Sequence, residues 1–192
     1  MTPRDKRPLL ANVCATALLG CLLAPVNAGA DAFPSPHVDD SGTIQFPEDF
    51  RASMVHLGSW FVPEGDASGF HDVYTEAGSV AVYRRTGRFP DGATIVKELR
   101  ASASGSYTTG TNVRFATEEI KQWFVMVKDD AGRFEGNPNW GDGWGWALFK
   151  TDAPEINVST DYRTDCLGCH VPAQQTDWIY TEAYPTLTRT ED

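Results

Sequence analysis

The chain has 192 residues, with 26 acidic against 16 basic side chains for a net charge of −10, and four cysteines. That length fits one domain with a short appended segment, and the charge repels nucleic acid and anionic membranes while favouring basic partners. Six tryptophans, 17 glycines and 12 prolines, without a 20-residue helical pattern after the leader, exclude a long-helix bundle.

Residues 1–30 read as a signal peptide. Arg4, Lys6 and Arg7 form a basic start, "LLANVCATALLGCLLAP" is apolar, and "AGA" before Asp31 fits a small-residue cleavage site. The apolar run is short for a membrane span. "LLGC", ending at Cys21, offers a second reading as a lipoprotein box, which the apolar residues after it disfavour. Cleavage leaves a single domain, residues 31–192, exported to the periplasm. It carries 13 basic and 25 acidic side chains, and only Cys166 and Cys169 remain. An exported pair of cysteines can form a disulfide.

A loose Pro- and Ser-containing lead runs to about Ile44. Then come short segments rich in Val, Phe, Trp and Tyr: "MVHLGSWFV", "FHDVYTE", "VAVYRR", "TIVKELR", "QWFVMVK" and "WGWALFK". Such composition suits strands, and "PEGDASG", "FPDGA", "DDAGR" and "EGNPNWGDG" between them are turn chemistry. "EAGSVAVYRRTG" fits a short helix as well, since Val80, Tyr83 and Arg84 stand at helical spacing. The expected class is mostly β (α+β): an antiparallel sheet with a few helices and a separate C-terminal segment.

Within "TIVKELR", strand alternation puts Ile95, Lys97 and Leu99 on one face and Thr94, Val96, Glu98 and Arg100 on the other. Lys97 therefore sits in the middle of an apolar face, where an unpaired buried ammonium costs about 4–7 kcal/mol. A lysine can avoid this by snorkelling or by pairing with a buried carboxylate.

"VSTDYRTD" leads into a helix bearing "CLGCH", Cys166 to His170, and "DWIYTEAYPTL" closes the chain. C-x-x-C-H is the attachment signature of c-type haem. Two thiols add to the two vinyl groups, and the adjoining histidine becomes the iron's proximal ligand. The rival is a redox C-x-x-C, but that motif belongs early in a βαβ unit, not near the end of an exported chain. One haem c per chain is expected, on Cys166, Cys169 and His170. No methionine follows His170, and His56 and His71 lie in apolar runs suited to packing. Met54, Met126, His56 and His71 are thus expected off the iron, leaving it open for small-molecule chemistry.

From about Phe46 to Leu187 the sequence resembles the cytochrome P-460 family, which includes the cytochromes c′-beta. The resemblance is carried by "HLGSWFVP", "FHDVYTEAGSVAVYRRTGRFPDGATIVKELR", "WGDGWGWALF" and "CLGCHVPAQQTDWIYTEAYPTL". It implies a β-rich homodimer with one c-type haem and an open distal face. In P-460 members a lysine in a "V-K-E-L" context bonds covalently to a porphyrin meso carbon, and the matching residue is Lys97. The implied activity is oxidation of hydroxylamine to nitric oxide or nitrous oxide, with electrons passing to a redox partner, a basic cytochrome on charge grounds. A carboxylate before the haem motif serves as proton acceptor in active members. Asp161 matches best, with Glu155 and Asp165 as alternatives and an N-cap as its plainer reading. The c′-beta members lack the lysine bond, line the distal face with aromatic residues and bind nitric oxide without turnover. Phe70 and Trp60 are candidates for that lining. Trp140, Trp144 and Trp146 either wall the haem or pack the core, and Asp177 and Tyr180 fix the terminal segment.

Overall fold

Alternation of apolar and polar residues builds the centre of the fold. In β2 (Gly69–Thr75) every second residue is buried, from Gly69 through His71 and Val73 to Thr75. The computed structural model describes Met1 and residues 34–188. Most of the leader, its Cys21 alternative and the start of the mature chain at Asp31 lie outside the described residues.

Six strands form one antiparallel sheet in the order β1-β2-β3-β4-β6-β5. They are β1 (Val55–Val62), β2, β3 (Thr94–Tyr107), β4 (Gly110–Lys128), β5 (Trp140–Gly141) and β6 (Trp144–Lys150). Among the described residues four short α-helices accompany them: α1 (Phe50–Ser53), α2 (Ala77–Thr86), α3 (Tyr162–Asp165) and α4 (Leu167–His170). The mostly β class read from the sequence is the observed one.

Each face of the sheet has its own core. Val96, Val125, Ala147 and Phe149 pack against the N-terminal Ile44, Phe46 and Phe50. Val73, Ile95, Met126 and Trp146 face α2 and the C-terminal Trp178, Ile179 and Tyr184. The segment "VAVYRR" belongs to α2, its helical reading. Val80 and Tyr83 turn inward together, and Gly87 N–H closes the last turn on Tyr83 O. Asp142 and Gly143 make the β5–β6 turn with φ of 54° and 81°, the pair of positive values that a tight two-residue hairpin needs.

Two features escape simple alternation. A register shift between His56 and Gly58 makes Leu57 an extra residue, so Leu57 and Trp60 both face the C-terminal segment. Beyond Ala101, β3 and β4 continue as a ribbon whose residues are half-buried or exposed, with the Tyr107 and Phe115 rings 6.3 Å apart near its tip. "ASASGSY" and "GTNVRFATEEI" carry no one-sided apolar pattern, because neither face of the ribbon is covered.

The C-terminal segment docks across β1. Thr186 Oγ1 donates to Leu57 O at 3.1 Å, and a Cβ on Gly58 would lie 2.0 Å from Ala183 O. Backbone cannot yield as a flexible side chain does. Gly58→Ala is expected to destabilise the protein by about 1–3 kcal/mol, read as a lower urea midpoint.

Candidate functional site

One rung of the sheet, Val73–Lys97–Phe124–Leu148, crosses four strands. Its Lys97 is the polar member, on the face that also packs Cys166 and Leu167. The amine lies 4.1 Å from the centre of the Phe124 ring. Among the described residues it has no hydrogen bond and no ion pair. Burial pushes its pKa down from 10.5, while the nearby Cys169 and Cys166 thiols, when ionised, pull the other way. Lys97 in turn depresses the His170 imidazole. Lysine, both cysteines and histidine are thus near enough to act on one another's charge.

The segment delivering the motif is tied down by local hydrogen bonds. Asp161 caps α3, its Oδ1 accepting Arg163 N–H at 2.9 Å. Asp165 reaches back, its Oδ2 accepting from Thr160 N–H at 2.8 Å and from Ser159 Oγ at 3.2 Å. The Thr160 and Asp161 N–H groups hold the Asp165 carboxyl below the usual carboxylate range. Cys166 N–H then closes on Tyr162 O at 2.9 Å.

Cys166 is half-buried, Cys169 is exposed, and the two thiols are not joined in a disulfide. His170 Nδ1 donates to Trp178 O at 2.7 Å, which commits that nitrogen to carrying the proton and leaves the Nε2 lone pair for a ligand. Burial pushes the imidazole down to about 4, so it is neutral at physiological pH, as a metal ligand must be. Trp146 stands edge-on to the ring at 5.0 Å, and Tyr180 Oη donates to Cys169 O at 2.7 Å. Two unjoined thiols, a neutral imidazole with a fixed tautomer and an unpaired amine fit a haem attached at this face.

Other residues fall into place around it. Trp60 pairs with His71 across β1 and β2 and lies on the Lys97 face, 6.2 Å from Tyr180. Phe70 lies on the opposite face, its ring 4.9 Å from Phe61, because alternation around His71 sends it there; it does not join this wall. The Asp161 carboxylate is partly exposed and engaged as a cap. Met54 and His56 belong to the other face. Met126 is buried in the core two rungs along, paired with Ile95, and His71 Nε2 is already bonded to Ala67 O at 2.7 Å. Trp144 and Trp146 lie in the core on the Lys97 face, whereas Trp140 packs behind the sheet. The roles of Trp178 O and Phe124 escape sequence reasoning, since a backbone carbonyl and a cross-strand neighbour leave no motif.

A mostly β sheet with a C-x-x-C-H segment folded over one face defines a haem cytochrome of the non-bundle kind. Residues 47–181 match the cytochrome P460 family, and the chain belongs to that family. No curated protein matches it. Among the described residues no helix is long and apolar enough to cross a membrane.

His71 yields a prediction about acid. Burial lowers its pKa from 6.5, outweighing the hydrogen bond to Ala67. The unfolded chain then binds the proton more readily, so the stability His71 contributes is complete above about 6.5 and is lost as pH falls through its lower folded-state value. Comparing urea midpoints at about pH 7.5 and about pH 5, His71→Asn is expected to show a smaller acid loss than the wild type.

Proposed function

We propose that this chain is an exported mono-haem c-type cytochrome that oxidises hydroxylamine to nitric oxide or nitrous oxide. Cys166 and Cys169 form the thioethers, His170 is the iron ligand, and Lys97 bonds to the porphyrin. The observation that carries this reading is Lys97: an amine with no hydrogen bond or ion pair among the described residues, within reach of both cysteines' charge. A covalent bond, formed in place of one amine N–H and one meso C–H with two electrons passed to a peroxide-class oxidant, removes the cost of holding its charge on this half-buried apolar face, and that setting favours the neutral, nucleophilic form. When bound, the haem supplies an open coordination position and accepts the substrate's electrons.

The protein's own groups do the remaining work. Phe124 and Trp60 wall the Lys97 face, and Trp178 O fixes the His170 tautomer. Oxidation releases protons, and Asp161 accepts one through Oδ2, the oxygen not used in capping. Electrons leave to a basic cytochrome, drawn by the acidic surface of a periplasmic chain. A homodimer is supported by the β3–β4 ribbon, since a two-stranded ribbon standing alone is marginal in water and Tyr107 and Phe115 are exposed on it.

A second reading, a c′-beta-type cytochrome that binds nitric oxide or relays electrons, is favoured by one observation: the Asp161 carboxylate already serves as a helix cap. Tryptic mapping of mature protein separates the two. The Lys97 peptide is expected to be joined to the haem-bearing Cys166–His170 peptide; recovering it free of haem gives the gas-binding reading. Lys97→Ala is expected to leave a folded cytochrome with both thioethers, a shifted absorption spectrum and no hydroxylamine oxidation. Asp161→Asn keeps the cap, since asparagine caps as well as aspartate, and is expected to slow turnover with the spectrum nearly unchanged. Unaltered turnover would make Asp161 a cap alone.

A further inference from the structure

We propose that the buried Lys128–Asp177 ion pair positions the proximal histidine, by holding the Trp178 carbonyl on His170 Nδ1. This rests on His170 being the iron ligand.

After the 3-10 turns Val171–Thr176, the chain reverses through two consecutive residues with positive φ, Asp177 at 61° and Trp178 at 68°. Neither is glycine, and L-residues visit this region at a cost, persisting there only where the surroundings impose it. The imposition is visible around Asp177. Its side chain is 2% exposed; Oδ1 accepts from Lys128 Nζ at 2.8 Å and Oδ2 from Phe89 N–H at 3.0 Å. Arg88 stands at 3.7 Å. Lys128, at the end of β4, is 1% exposed and also reaches Asp130 at 3.1 Å and the Trp144 ring at 4.9 Å.

The next residue, Trp178, donates its N–H to Ala173 O at 2.9 Å and accepts from His170 Nδ1 at 2.7 Å. The sheet thus grips the chain one residue before the carbonyl that orients the imidazole. A buried ion pair is a weak source of stability compared with apolar residues of the same shape, so orientation is the contribution peculiar to this one. An N–H donated to a well-placed carbonyl makes the imidazole a stronger electron donor to a metal. Loosening the carbonyl weakens that donation.

The test uses ferrous holoprotein, read by the iron–histidine stretching band in resonance Raman and by the reduction potential. Lys128→Met and Asp177→Asn are each expected to move the band to lower frequency and broaden it, and to raise the potential. Lys128→Arg, which keeps the charge, should stay close to wild type. Trp178→Phe, which keeps the carbonyl, should preserve the band. If Lys128→Met fails to accumulate, Asp177→Asn, which barely alters the volume, decides the matter. A wild-type band and potential in Asp177→Asn, with only the thermal midpoint lowered, would reduce the pair to a structural one and overturn the proposal. Wild-type holoprotein without any iron–histidine band would instead overturn the ligand assignment beneath it.

Discussion

A β-strand cannot bring adjacent side chains together, and the site depends on that constraint. Lys97 and Glu98 are neighbours of opposite charge in β3, yet alternation sends them to opposite faces, where they cannot pair. Glu98 is fully buried on one face and is met by Arg51 and by Trp123 Nε1 at 3.0 Å. Lys97, on the other, meets the Phe124 ring. The unpaired amine is thus left where the cysteines and the histidine arrive from the C-terminal segment.

The protein handles its buried charges in contrasting ways. Glu98 and Lys128 are both matched by opposite charge, and stripping the partner from such a group costs about 3–5 kcal/mol. Matching of this kind fixes position: it holds α1 against one face and the C-terminal segment against the other. Lys97, half-buried on its own face, is the exception. An interaction of its ammonium with an aromatic face returns at most about 2 kcal/mol, and desolvation on this face still pushes its pKa down. The local balance therefore favours a neutral or covalently occupied amine.

The C-terminal segment behaves as a clamp built from backbone contacts. Gly58 admits Ala183 O, Thr186 holds Leu57 O, Trp178 O holds His170, and Tyr180 holds Cys169 O. The partner in each contact is a main-chain carbonyl, so the geometry depends on chain path more than on side-chain identity. Asp165 and Asp161 act in the same way before the motif, each using its carboxylate to satisfy backbone donors that the start of a short helix leaves open.

The sequence by itself determined what spacing and period can carry. The C-x-x-C-H run is the attachment signature of c-type haem, because two thioethers and a histidine ligand need that spacing, and alternation in "TIVKELR" places Lys97 opposite Glu98 without coordinates. The same alternation around His71 already separates Phe70 from Val73, although only the pairing of β2 with β3 says which side carries the site. Tertiary structure decided the rest. The extra residue at Leu57 turns Trp60 toward the site, against simple parity. Asp161 became a cap because the chain turns into α3 there. The uncovered β3–β4 ribbon has no apolar side to betray it in one dimension. The Trp178 carbonyl reaches His170 through a chain reversal that Lys128, 49 residues earlier than Asp177, holds in place. Periodicity records which face a residue takes, but only the folded chain sets which distant backbone atom waits on that face.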